Sequence, residues 1–358
     1  MIDELMNVEP FSLLKTDKER ILARALLDLT AFHYDNCREY RSMLDALGFD
    51  PRGATGGCRD LPFLPVRLFK ELTLKSVSDA EIFKTMTSSG TTGQATSRIF
   101  LDRATAGQQQ KALVRIVASF LGTARLPMII IDCPSSVRDR RMFSARGAAI
   151  LGFSIFGNDK IYALDDDMNL DVKALAAFLA KHSGKRILLF GFTFMVWQHF
   201  CAKLKNLSGM ADLSGGVLIH GGGWKKLAGQ SVSPGVFKSE LKAVCGIDHV
   251  HNYYGMVEQT GCVYMECEKG HLHASVFSDV ITRRADLSVC DYGEAGIIEV
   301  VSALPKSYCG HVLLTEDEGV ILGEDDCPCG RKGKYFKVLG RLKDAEIRGC
   351  SDAYAASF

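Results

Sequence analysis

Val217-Leu-Ile-His-Gly-Gly-Gly-Trp224 sets a short apolar run directly against three consecutive glycines. Such a run reads as a strand buried on both faces, and the carboxyl end of a strand in an open α/β sheet is where ligands bind. Glycines there let a flat ring approach the backbone closely, because no Cβ stands in the way. A tight turn whose glycines serve geometry alone is the plainer alternative. Working outward, Met128–Ile131, Ile150–Ile155 and Ile187–Phe190 read as further strands, and Val172–His182, Phe194–Leu204 and Val236–Cys245 as helices. Strands alternating with helices predict an α/β fold with a mostly parallel sheet covered on both faces. From Val263 the pattern changes to closely spaced runs (VYMEC, HASVF, GIIEVV, HVLLT, GVIL), which predict a smaller antiparallel β portion. Ahead of all this, apolar residues Ile21, Leu22, Ala25, Leu26, Leu29 and Phe32 recur at helical spacing within residues 18–47, predicting one or two amphipathic helices.

Composition limits the function. The 358 residues carry 43 Lys+Arg against 42 Asp+Glu, a net charge of +1, so no global field draws nucleic acid or an anionic membrane. The start, MIDELMNVEPF, lacks the basic and apolar regions of a signal peptide. The longest apolar stretch, Ile187–Trp197, falls short of the ~20 residues that span a bilayer. A cytoplasmic protein without membrane insertion is expected. Seven of the twelve cysteines fall from Cys262 onward. In a reducing compartment that clustering favours metal ligation or a reactive thiol over disulfides.

Two further stretches carry chemistry. Thr87-Ser-Ser-Gly-Thr-Thr-Gly-Gln-Ala-Thr-Ser97 surrounds Gly90 and Gly93 with hydroxyl side chains. Its backbone N–H groups can turn toward an anion while Ser88, Ser89, Thr91 and Thr92 add donors, as a polyphosphate requires. No Gly-Lys-Ser/Thr follows, so it is not a Walker loop. In Asn252-Tyr-Tyr-Gly-Met-Val-Glu-Gln259, the pair Tyr253 and Tyr254 with Gly255 and Glu258 suits stacking on a nucleobase and holding Mg²⁺ near phosphates. Asp165-Asp-Asp167 and the basic stretch Arg138–Arg146 read as solvated segments.

Taken in order, the hydroxyl-rich loop, the glycine turn Gly221-Gly222-Gly223 and the YGxxE segment resemble the adenylate-forming superfamily of acyl-CoA synthetases and related ligases. Thr315-Glu-Asp-Glu-Gly319 is similar to that superfamily's TGDxG segment, which implies that Asp317 holds the ATP ribose. Gly340-Arg-Leu-Lys-Asp-Ala-Glu-Ile-Arg-Gly349 is similar to its hinge motif, which implies Arg341 near the ribose and Asp344 at the pivot. Within the superfamily, LPFLPVRLFK, SSGTTG, HGGGWK, CPCGRKGKYFKVLGR and EIRGCSD resemble the LuxE family of acyl-protein synthetases, related to phenylacetate-CoA ligases. Val257 stands where many relatives have threonine, and no mobile C-terminal lid domain is expected after Phe358. The implied organisation is a helical segment over 1–75, a nucleotide-binding α/β core over 76–260, a β-rich subdomain over 261–340, and hinge and tail over 341–358.

The resemblance implies an ATP- and Mg²⁺-dependent acid–thiol ligase that activates a fatty acid as its acyl adenylate. Glu258 would hold Mg²⁺, and Cys350 would take the acyl group as a thioester for delivery to a fatty-acyl reductase partner. The alternatives are an acyl-CoA ligase of the phenylacetate type and a non-catalytic protein that binds nucleotide and zinc. Separately, Cys267 and His273 in CEKGHLH, with Cys327 and Cys329 in CPCG, have the donor chemistry of a structural Zn²⁺ site. Cys262 and His271 are alternative ligands, and buried free thiols behaving as small hydrophobes are the plainer reading.

Overall fold

The computed structural model describes residues 2–88, 96–137, 145–207, 211–224 and 231–342. The helical periodicity near the start becomes two helices, Lys15–Asn36 and Arg38–Ala46, separated at Cys37, whose backbone is extended. Leu22 and Leu26 of the first helix are fully buried. Strands follow in chain order: β1 (Leu64–Pro65), β2 (Lys84–Thr87) and β3 (Arg98–Leu101), the last two forming an antiparallel pair. The helix Arg103–Leu121 comes next. Residues up to 88, 96–120 and 255–342 form one compact unit, and 121–254 make up the body of a second.

The second unit contains β4 (Leu126–Ile131), β5 (Gly157–Tyr162), β6 (Leu188–Phe192), β7 (Val217–Gly221) and β8 (His249–Tyr254). They lie in the order β5-β4-β6-β7-β8, every pairing parallel. Strand order reverses beside β4, so the crevice between the carboxyl ends of β4 and β6 is a topological switch point. Helices Val172–Lys181 and Pro234–Cys245 match their predicted spans closely. The segment read as a helix over Phe194–Leu204 is helical throughout, with a π-helical stretch at Val196–Cys201.

The expectation of a strand at Ile150–Ile155 fails. These residues belong to the helix Ala145–Phe153 and the 3-10 turn after it, and the strand is the polar stretch Gly157–Tyr162. The expectation that the basic stretch before it is solvated fails at Arg146. That side chain is buried in the same helix and makes a bidentate pair with Asp132 at the end of β4. Asp165 does cap a turn, accepting from the backbone N–H of Asp167 and Asn169.

The first unit carries the antiparallel portion: β9 (Tyr264–Glu266), β10 (Leu272–His273), β11 (Ser278–Arg283), β12 (Ala295–Ser302), β13 (Val312–Glu324) and β14 (Lys334–Arg341). Strands β11 to β14 pair in sequence, β10 joins β14, and β1 adds a parallel edge to β13. The run HASVF is strand only at His273, and the long strand starts at Ser278. Asp279 on β11 is buried and takes the ammonium groups of Lys18 and Lys334, one on each carboxylate oxygen. Burial alone would raise its pKa, but the two cations outweigh that and hold it below the usual carboxylate range. No helix among the described residues is long and apolar enough to cross a membrane, and every described cysteine is unbridged.

His33, from the first long helix, is fully buried in this unit. Its Nε2 donates to the carbonyl of Pro305 at 3.1 Å, which leaves Nδ1 to accept from the Ser76 hydroxyl at 2.7 Å. Burial pushes its pKa down to about 3, so the folded state holds it neutral. The unfolded chain takes up a proton below about pH 6.5, whereas the folded chain does so only near pH 3. Stability is therefore present above pH 6.5 and lost as pH falls toward 3. Urea unfolding at pH 7.5 and pH 5 should show His33 alone removing about 2 kcal/mol. His33→Gln should reduce that loss. An unchanged pH profile in the variant would mean that His33 is not held neutral.

Candidate functional site

The two glycine-rich stretches take different structural roles. The hydroxyl-rich loop joins β2 to β3, and its neck is closed by reciprocal bonds. Ser88 N–H donates to the Ser97 carbonyl at 3.2 Å, and Ser97 N–H donates to Ser88 Oγ at 2.9 Å. Ser88 is thus a residue of the loop's base. Ser89, Gly90, Thr91, Thr92 and Gly93 lie outside the described residues, as do Asp344 and Cys350.

The glycine turn ends β7 in the second unit. Gly221 pairs in register with Tyr253, and a Cβ on Gly221 would come within 2.4 Å of the Tyr253 ring. The glycine is what allows that ring to lie against the strand. Tyr253 also packs on Phe153 and Phe190, with ring centroids 5.0 and 6.3 Å away. Gly222 has φ +76°, a left-handed conformation that favours glycine, while Gly223 faces open space. Thr193, just past β6, braces the turn by donating its hydroxyl to the Gly222 carbonyl at 2.7 Å. That hydroxyl then accepts from His220 Nδ1 at 2.9 Å, which fixes the histidine tautomer. Burial pushes the pKa of His220 down to about 3, consistent with a neutral ring. Tyr254 ends β8 half-buried and Gly255 is exposed.

In the first unit, Glu258 sits on the short turn Val257–Gln259 and is buried. Its neighbour Gln259 anchors the turn by donating to the carbonyls of Val300 at 3.2 Å and Gly310 at 2.9 Å. Gly310 cannot be larger, because a Cβ there would lie 2.6 Å from the Glu258 carbonyl oxygen. Asp317 and Arg341, 24 positions apart, are register partners on β13 and β14, with Arg341 Nε 3.6 Å from Asp317 Oδ1. Thr315 fixes Asp317 from behind: its hydroxyl accepts from Asp317 N–H at 3.1 Å and donates to the Ile298 carbonyl at 2.8 Å.

The same unit gathers Cys267, His273, Cys327 and Cys329. One ligand atom from each lies within 4.8 Å of all the others, and three of the four residues are buried. Cys262 lies apart, its thiol 3.0 Å from Ser302 Oγ. His271 Nδ1 comes within 3.4 Å of Cys327 Sγ, but His271 is not one of the four residues whose ligand atoms all lie within reach of one another.

The sequence model of the LuxE acyl-protein synthetases matches residues 1–358. The chain belongs to that family. It is 22% identical over 357 residues to the long-chain-fatty-acid–luciferin-component ligase of Vibrio harveyi, covering 96% of this chain and 89% of that one. It is 24% identical to the ligase of the same name from Aliivibrio fischeri, covering 94% and 88%. The fold is that of adenylate-forming ligases. An open form of 2-hydroxyisobutyryl-CoA ligase in complex with 2-HIB-AMP and CoA superposes with TM-score 0.68 at 15% identity, covering 93% of this chain and 77% of the ligase. As a LuxE-family member, the protein is a ligase.

Sequence reading missed Thr193 and the Asp132–Arg146 pair, both at the switch-point end of the parallel sheet. A lone threonine and an aspartate with its arginine 14 positions on carry no periodic or motif signature. The glycines make separable predictions. Gly221→Ala should destabilise the protein by about 1–3 kcal/mol, since the new methyl forces the Tyr253 ring to move. Gly223→Ala should leave stability unchanged. Chemical denaturation of both variants checks this, and equal stabilities would remove the close-approach role from Gly221.

Proposed function

We propose that this LuxE-family ligase activates a fatty acid with ATP and passes the acyl group to its own Cys350. The observation that carries the reading is the match to the acyl-protein synthetases over all 358 residues. The paired Asp317 and Arg341 and the buried Glu258 are in keeping with it. In the first step a carboxylate oxygen of the acid bonds to the α-phosphorus of ATP, and pyrophosphate leaves. A carboxylate is a poor electrophile, and the mixed anhydride gives it AMP as a leaving group. In the second step the Cys350 thiolate bonds to the acyl carbon, the bond to AMP oxygen breaks, and AMP departs.

Each residue then has a role. The backbone amides and hydroxyls of Ser88–Gly93 cradle the phosphates. Gly221, Gly222, Gly223, Tyr253 and Tyr254 receive the adenine, and Asp317 and Arg341 hold the ribose. Glu258 presents a hard oxygen donor of the kind Mg²⁺ accepts, and the ion when bound offsets phosphate charge. Arg348 beside Cys350 favours the thiolate, and attachment near the adenylate gives the transfer a high effective concentration. The thioester is then available to a fatty-acyl reductase-like protein, and the whole sequence takes place in the cytoplasm.

Three variants separate the steps. Glu258→Gln should abolish ATP–pyrophosphate exchange while leaving the fold intact, and wild-type exchange would place the metal elsewhere. Asp317→Ala should raise KM for ATP with little change in kcat, since ribose contacts are made in ground and transition states alike. Cys350→Ser should exchange pyrophosphate normally yet accumulate no hydroxylamine-labile acyl-protein. Normal acylation of that variant, or labelling of the wild type at another cysteine, would overturn the self-acylation step.

A further inference from the structure

Two turns in the first unit repeat one geometry. In Cys267-Glu-Lys-Gly270 the Gly270 N–H donates to the Cys267 carbonyl at 2.9 Å, and Gly270 has φ +78°. In Cys327-Pro-Cys-Gly330 the Gly330 N–H donates to the Cys327 carbonyl at 2.9 Å, and Gly330 has φ +85°. The first turn also folds a backbone amide back onto its leading sulfur. Lys269 N–H lies 3.4 Å from Cys267 Sγ. The two turns face each other because β10 pairs with β9 on one side and with β14 on the other. This pairing brings His273 in as the fourth donor, with Nε2 3.3 Å from Cys329 Sγ. Its Nδ1 is buried without a hydrogen-bond partner.

We propose that Cys267, His273, Cys327 and Cys329 bind one Zn²⁺ that ties the β9–β10 turn to the β13–β14 turn. Three sulfurs and one imidazole nitrogen are the donor set of a closed, tetrahedral, structural zinc site. Zn–S bonds of about 2.3 Å put the edges of such a tetrahedron near ~3.7 Å. The measured spread, all within 4.8 Å, needs only a small contraction. Soft thiolates exclude Mg²⁺ and Ca²⁺, which take oxygen ligands. Three thiolates leave the centre with one net negative charge, and Arg331, two residues past Cys329, pairs with Glu268. The ion has a mechanical task, because β10 meets β14 through only Leu272–Phe336 and His273–Tyr335. β14 then runs on to Arg341, the register partner of Asp317.

The test uses the full-length protein purified without added metal. Elemental analysis should find one equivalent of zinc, and cobalt replacement should give the absorption of a tetrahedral cobalt–thiolate centre. Cys327→Ser and Cys267→Ser should each lower zinc below half an equivalent, whereas Cys262→Ser and His271→Ala should retain it. Cys329→His keeps a ligand at that corner and should retain metal if the serine variants fail to fold. Chelation should release the zinc, lower Tm and speed amide hydrogen exchange across Lys334–Arg341. Well under half an equivalent in the wild type with no cobalt–thiolate band would overturn the proposal. Full zinc in Cys327→Ser, or its loss in Cys262→Ser, would overturn the ligand assignment.

Discussion

A single buried carboxylate holds the antiparallel unit together. Asp279 lies on β11, Lys18 on the first long helix and Lys334 at the start of β14, so one charge joins three segments that are distant in sequence. Lys18 also donates to the Ala274 carbonyl and Lys334 to that of Val280, so both ammonium groups have partners beyond the carboxylate. Such an arrangement tolerates burial only when complete: removing one partner of a buried pair commonly costs 3–5 kcal/mol, because the remaining charge stays desolvated. Lys334 comes four positions after Gly330, which ends the turn that carries Cys327 and Cys329. The position of that turn, and the register that sets Arg341 opposite Asp317, both follow from where β14 is made to begin.

The parallel unit was largely legible because its central strands are buried on both faces and must be continuously apolar. Leu188–Phe192 and Val217–Gly221 are buried at every position. The same rule produced the error at Ile150–Ile155, since an apolar run of six residues does not distinguish a buried strand from one face of a packed helix. The helix there is settled by tertiary contacts, among them the pairing of Arg146 with Asp132, which no local pattern announces. Gly157–Tyr162 escaped notice for the opposite reason: it is partly exposed and too polar to look like a strand.

In the candidate site, legibility followed the chemistry of the residue. Cysteine and histidine in two separated pairs pointed to the four-donor cluster, because few other roles concentrate those side chains. Asp317 and Arg341 were readable through family resemblance, but their direct pairing across β13 and β14 required the strand register. Supporting residues stayed hidden. Thr193 braces the glycine turn, Thr315 fixes Asp317, and Gln259 anchors the turn bearing Glu258, yet each is an ordinary polar residue until its partner is known. The Asn252–Gln259 motif spans the boundary between the compact units, Tyr254 closing one and Gly255 opening the other.

The polarity that disguised β5 has its own consequence. β5 is the outermost strand of the parallel sheet, and an outermost strand offers a row of unpaired backbone groups to any other chain that arrives extended. Along it stand Asn158, Asp159 and Lys160, with Asp159 further engaged by Lys181 and His182 from the following helix. A second copy attempting to extend the sheet would have to strip water from these charges and match their signs. The strand hardest to recognise is therefore one whose polarity makes it a poor template for a second chain.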